Sequence, residues 1–327
     1  MLRTALFATV LGLAVFPAAA FAADAPTKPD AKPKPVEPAR PPSQTNVAYG
    51  PHERQVLDFY KAESDKPTPV LFFIHGGGWV TGDKKNPGSL AACLKAGISV
   101  ISINYRYSWQ AHLAGVKPPV QWPLQDAARA LQFVRSKAVE WNLDKQRIGA
   151  SGGSAGACSS LYLAFHADMA DPKSSDPVAR ESTRLWCAAV SGAQTSLDPL
   201  QLKEWTPNSR YGGHAFGFMD PNDLKTRDTR FAEFLGKREE MLPWIKQYSP
   251  IEHVTTDDPP VYLHYSAAPA LGQEQRDPTH TANYGVKLQE KCRSLGVKCE
   301  LVYPGAPEVK HPQIHDFLIA TLKAPVK

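Results

Sequence analysis

A chain of 327 residues, 43% hydrophobic and 21% charged, can bury one sizeable core without a metal or disulfide staple. Its formal charge of +5 is mild and no dense basic stripe occurs, which argues against a nucleic-acid partner. Five cysteines with no C-x-x-C pair argue against a zinc knuckle.

The first elements are not part of the fold. Residues 1–22 have the pattern of an export signal: Arg3, an apolar stretch, and a small-x-small cleavage site at Ala20-Phe21-Ala22. The apolar run is short for a spanning helix. Cleavage after Ala22, export to the periplasm or the medium, and no stable membrane insertion are expected. Residues 23–45 alternate proline with lysine and lack large apolar side chains, so a solvated, disordered linker is expected before a domain at 46–327.

Within that domain apolar and helical segments alternate. Residues 70–74 form a continuous apolar run ending at glycines, as in a strand buried on both faces. A helix over 89–95, closed by Gly97, leads to a strand at 99–105. Pro123 opens a helix that carries Leu124, Ala127, Leu131 and Val134 on one face. A strand at 147–151 and a helix at 155–170 come next, then strands at 185–191 and 261–266. A helix over 281–295, a last strand at 300–303 and a terminal helix containing 317–322 complete the order. The pattern predicts the α/β class, a mostly parallel central sheet with helices on both faces. Residues 194–248 break the rhythm, with Trp205, Tyr211, Phe216, Phe218, Phe231, Phe234 and Trp244 set among charges and turn residues. A cap-like insertion over the active-site end is expected there, with plain helical packing at the domain edge as the alternative. Cys292 and Cys299 flank a short helix-to-strand link and are the pair expected if a disulfide forms. Two free thiols are the alternative.

Two glycine-framed motifs carry the chemistry. Gly152-Gly153-Ser154-Ala155-Gly156 fits G-x-S-x-G at a strand-to-helix turn, where a serine is lifted from the sheet as a nucleophile. The Ala155 amide then points into the same space from a helix N-terminus. His75-Gly76-Gly77-Gly78-Trp79 follows a strand, and the amides of Gly77 and Gly78 can complete an oxyanion hole with Ala155. His75 and Trp79 are the expected substrate contacts. Gly77 and Gly82 have phosphate-loop spacing, but Asp83 stands where the lysine is needed, and no G-x-G-x-x-G follows. No cofactor is expected.

In this architecture the acid and the histidine follow the serine along the chain. His311, in the loop after the last strand, is the expected base, with His315 the alternative. Their four-residue spacing lacks the H-E-x-x-H pattern, so no metal is expected. Asp277 is the expected acid, with Glu274, Asp257 and Asp258 the alternatives. Asp277-Pro278 could instead start a turn, leaving His280 as a substrate contact or a surface residue. Asp126, in the first turn of its helix, is read as structural.

With these residues placed, the chain resembles the α/β-hydrolase superfamily from about residue 56 to 322. Within it, the chain is similar to hormone-sensitive-lipase-like carboxylesterases and the related feruloyl and acetyl-xylan esterases. The two glycine motifs carry the resemblance, supported by Asn104-Tyr105-Arg106, Ser249-Pro250 and Asp258-Pro259-Pro260. It implies a Ser-His-Asp esterase that works through an acyl-enzyme, without a cofactor, on small or carbohydrate-linked carboxylic esters. Two departures stand out. The compact G-x-x-D after the seventh strand is replaced by Ala267-Ala268-Pro269 and a longer loop, and the glycine-to-histidine step before the last helix is stretched to Gly305…His311. An exported serine peptidase acting on small peptides, or a catalytically weak hydrolase-fold binding module, are the rival readings.

Overall fold

The computed structural model describes residues 40–218, 223 and 225–325. The expected export signal at 1–22 and linker residues 23–39 lie outside the described residues.

Among the described residues eight strands form one sheet: β1 (Gln44–Ala48), β2 (Val56–Tyr60), β3 (Thr68–Ile74), β4 (Ser99–Ile103), β5 (Leu143–Gly153), β6 (Cys187–Ser191), β7 (Val261–His264) and β8 (Cys299–Val302). Their spatial order is β1-β2-β4-β3-β5-β6-β7-β8, antiparallel at the β1–β2 and β2–β4 pairs and parallel from β4 to β8. Among the described residues ten α-helices accompany them: α1 (Leu90–Lys95), α2 (Ser108–Leu113), α3 (Gln121–Ser136), α4 (Ala138–Trp141), α5 (Ala155–Phe165), α6 (Pro199–Trp205), α7 (Arg227–Gly236), α8 (Arg238–Tyr248), α9 (Asn283–Ser294) and α10 (Ile314–Leu322).

Strand side chains alternate between two cores, as the two-residue period of a strand requires. Val70, Phe72 and Ile74 of β3 face the larger core, which α3, α5 and α9 cover, while Leu71 faces the smaller one under α1 and α10. Helices on both faces explain why β3 reads as a nearly unbroken apolar run from Val70 to Ile74. Every residue of α5 is buried, consistent with an apolar sequence all round the helix. The parallel strands thus end on one rim, where the loops after β3, β5, β6 and β7 meet. This is the α/β-hydrolase fold expected from the sequence.

Two edges differ from the expectation. Gln44 and Thr45, assigned to the linker, belong to β1, an exposed edge strand with no apolar run to mark it. The 194–248 segment folds as α6, a short 3₁₀ turn (Gly213–Phe216), α7 and α8, with no strand among its described residues. Its aromatic residues join the larger core. Phe216, Phe218 and Phe231 surround Phe234 with ring centroids 5.4, 5.3 and 6.4 Å away. All five cysteines are free, Cys292 on α9 and Cys299 on β8 included, so the pair forms no disulfide here. No helix among the described residues is long and apolar enough to cross a membrane.

Candidate active site

The serine sits where β5 turns into α5. Ser154 has φ 54° and ψ −124°, a strained conformation for a residue with a Cβ. Two glycines make that turn possible. A Cβ on Gly152 would lie 2.7 Å from the Gly156 carbonyl carbon, and one on Gly156 would lie 2.7 Å from the His75 carbonyl oxygen. The Ser154 amide donates to the Ser191 carbonyl at 3.0 Å, which ties the elbow to the end of β6. Ala155 opens α5, so its amide has no acceptor within the helix.

The glycine loop after β3 lies directly against the elbow. A Cβ on Gly76 would meet the Gly153 carbonyl oxygen at 2.7 Å and the Ser154 Cβ at 3.4 Å. Gly77 and Gly78 take positive φ values of 95° and 61°. Val80 and Thr81 donate to the Gly77 carbonyl at 3.0 and 3.1 Å, which curls the loop. The amides of Gly77 and Gly78 have no acceptor among the described residues.

The Asn104-Tyr105-Arg106 segment braces this loop. Asn104 Oδ1 accepts from the Lys84 amide at 2.7 Å and its Nδ2 donates to Asp83 at 3.0 Å. The Tyr105 hydroxyl donates to the carbonyls of His75 and Gly76 at 3.0 and 3.1 Å. Arg106 grips Asp126 with Nη2 at 2.6 Å and Nε at 2.9 Å, and Gln55 donates to the same carboxylate at 2.8 Å. Asp126 is therefore structural, as its sequence position implies.

His280 is the histidine at the serine. Its Nδ1–H donates to Asp277 Oδ2 at 2.8 Å, which leaves Nε2 to accept from the Ser154 hydroxyl at 2.9 Å. Asp277 also accepts from the backbone amides of Thr279 and His280, both at 3.2 Å. Burial alone would raise the Asp277 carboxyl, but the hydrogen bonds and the charge of His280 hold it below the usual range. The carboxylate is ionised at neutral pH.

The expected base, His311, is elsewhere. Its Nδ1–H and its backbone amide both donate to Glu300, each at 2.7 Å, beneath the edge strand β8. The pair is half-buried and needs both partners, so His311 is a strut between β8 and the loop that leads to α10. The alternative His315 lies on α10 beside Asp316. Of the alternative acids, Asp257 pairs with Arg184 and Asp258 accepts from the Thr255 amide. Glu274 does not line the site.

The cleft over Ser154 has a volume of about 600 Å³ and carries polar side chains on both sides. His75, Asp83, Lys85 and Asn86 form one wall, and Ser191, His264, Ser266 and Asp277 the other. Among the described residues, none of the 194–248 insertion lines it. Trp79 does not line it either. It is fully buried, its indole N–H donates to Ser159 at 2.9 Å, and its ring leans on Tyr211 and His214. The expected substrate contact is thus a core side chain that anchors the glycine loop to α5. His75 does reach the cleft wall, but as a support. Its ring stacks on Tyr105 at 4.2 Å and its Nδ1–H donates to the Gly76 carbonyl at 2.7 Å. Burial lowers its pKa from 6.5 to about 4, so it is neutral at physiological pH.

A serine at a strand–helix elbow, hydrogen-bonded to a histidine that an aspartate orients, set on a mostly parallel sheet, defines the serine-hydrolase type of α/β-hydrolase site. The comparisons narrow the class. The BD-FAE family model matches residues 57–275, about two thirds of the sequence, and the chain belongs to that family. The match ends just before Asp277 and His280. Esterase LipC of Mycobacterium tuberculosis is 27% identical over 70% of this chain, and phenmedipham hydrolase of Pseudarthrobacter oxydans is 32% identical over 59%. The chain spans 52% of the first and 38% of the second. A carbohydrate esterase from gut microbiota superposes with a TM-score of 0.61 at 23% identity, covering 86% of this chain and 96% of that one. An acetyl ester-xyloside bifunctional hydrolase from Caldicellulosiruptor lactoaceticus gives 0.57 at 22%, covering 81% and 86%.

Proposed function

We propose that the protein is an exported serine carboxylesterase that hydrolyses small or carbohydrate-linked carboxylic esters. The observation that carries this reading is the continuous relay from Ser154 Oγ through His280 to Asp277, at 2.9 and 2.8 Å. His280 takes the Ser154 proton as the hydroxyl attacks the ester carbonyl, and Asp277 stabilises the imidazolium that forms. The amides of Gly77, Gly78 and Ala155 receive the negative charge that develops on the carbonyl oxygen, each being worth about 3 kcal/mol in the transition state. The tetrahedral species collapses, and His280 returns the proton to the leaving alkoxide. Water then attacks the acyl-serine by the same route.

Support for an ester rather than an amide substrate comes from the relatives' names. LipC is an esterase, and two of the solved neighbours are named for carbohydrate or acetyl esters. The polar side chains on both sides of the cleft suit an alcohol portion with several hydroxyl groups. The test is hydrolysis of p-nitrophenyl acetate, butyrate and octanoate by wild type and by Ser154→Ala. Activity is expected on the short chains, falling by about 10⁵-fold or more in the variant. Equal rates for the two proteins would overturn the reading.

A further inference from the structure

The acid and the base are three residues apart on one loop. Their side chains are 61% and 36% exposed, so burial alone does not fix either of them. We propose that Gln194 is the positioning residue that keeps His280 in line with Ser154. The proposal rests on the reading of Ser154 as nucleophile and His280 as base.

Gln194 is fully buried in the segment leaving β6. Its Nε2 donates to the carbonyl of Thr279, the residue before His280, at 2.7 Å, and to the carbonyl of Gly192 at 3.1 Å. Both partners are acceptors only, so the NH₂ end of the amide must be the end that faces them. Gly192 belongs to the turn that holds the nucleophile. Ser191 accepts from the Ser154 amide at 3.0 Å, and the Gly192 amide donates to the His264 carbonyl at 2.9 Å. The imidazole rests on this turn. A Cβ on Gly192 would sit 3.2 Å from both Cβ and Cδ2 of His280. One carboxamide therefore joins the turn that positions the serine to the peptide that carries the histidine.

Apart from Asp277, whose carboxylate accepts from the Thr279 and His280 amides, Asn208 and Asn283 hold the loop at a distance from the histidine. Asn208 exchanges two hydrogen bonds with the backbone of Gln275, and Asn283 accepts from the Ala270 amide while donating to the carbonyls of Ala270 and Trp205. Of the three carboxamides, Gln194 alone contacts the residue next to His280. Its Oε1 is buried and has no partner among the described residues.

Gln194→Met keeps length and burial and removes both donors. With p-nitrophenyl acetate its kcat should fall about 30-fold while KM stays within about twofold, because a displaced base slows chemistry without changing ester binding. In a His280→Ala background the same substitution should leave the residual rate within about twofold, because the group it positions is gone. An unchanged kcat in the single variant, or an equal loss in both backgrounds, would overturn the proposal. If Gln194→Met does not fold, Gln194→Ala puts the same two comparisons. A Ser154→Ala enzyme with wild-type turnover would overturn the reading of the site itself. An inactive Ser154→Ala beside a fully active Gln194→Met would overturn only the clamp.

Discussion

Acid should destabilise this protein partly through one histidine. His75 is 5% exposed, and burial lowers its pKa from 6.5 to about 4, although the hydrogen bond to Gly76 and the charge of Asp83 pull the other way. A folded pKa below the unfolded one means that the unfolded chain takes up the proton first. Above pH 6.5 neither state is protonated at this site, and its contribution to stability is fully present. As the pH falls from 6.5 towards 4, only the unfolded state gains the proton. Stability then drops by about 1.4 kcal/mol per pH unit, to a total of about 3 kcal/mol. Below about pH 4 both states are protonated and the loss levels off. The assay is urea unfolding of wild type and His75→Gln at intervals between pH 4 and 7.5. Carboxylates held at low pKa, Asp83 and Asp277 among them, lose stability at overlapping pH but cancel in the difference between the two proteins. The wild-type advantage should shrink by about 3 kcal/mol from pH 7.5 to 4. A difference that stays flat over that range would refute the argument.

Two further substitutions bear on the loop that carries the relay. Gly192→Ala places a methyl 3.2 Å from the Cβ and Cδ2 of His280 at a φ of 56°, so the ring must shift by a few tenths of an ångström. The left-handed backbone should cost about 1 kcal/mol of stability and the displaced base about tenfold in kcat, read by thermal melting and steady-state kinetics. Wild-type turnover in a folded Gly192→Ala would show that the imidazole does not rest on that turn. Asp277→Asn keeps the shape of the loop and removes the charge that orients the imidazole. Its kcat should fall by about 10³ to 10⁴, as for triads in general, and a loss below tenfold would point to a different carboxylate.

Much of the architecture was legible because burial on both faces writes itself into a sequence. The runs that became β3, β4 and β6 have no polar alternation, and Gly97 and Gly296 mark the helix-to-strand links. β1 was illegible for the opposite reason, since an exposed edge strand needs no apolar side chains. The elbow was legible because close backbone approach demands glycine at 152 and 156. The base was not. Chain order and the usual loop lengths pointed to His311, whereas the relay closes within Asp277-Pro278-Thr279-His280. That spacing was a usable signal, since a three-residue separation in a turn lets a carboxylate reach both the following amides and the imidazole. Glu300 was a second signal. A lone carboxylate between Cys299 and Leu301 on a half-buried strand needs a partner, and His311 supplies it. Trp79 misled because an aromatic beside a glycine loop reads the same in sequence whether it faces the cleft or, as here, the core.

The most direct measurement compares His280→Ala with His311→Ala, using p-nitrophenyl acetate turnover and thermal melting on the same preparations. His280→Ala should lose about 10⁴-fold or more in kcat with little change in melting temperature. His311→Ala should keep wild-type turnover and lose about 1 to 2 kcal/mol of stability, because Glu300 keeps the backbone amide of residue 311 but loses the imidazole Nδ1–H. The reverse pattern, turnover retained without His280 and lost without His311, would contradict the assignment of the base.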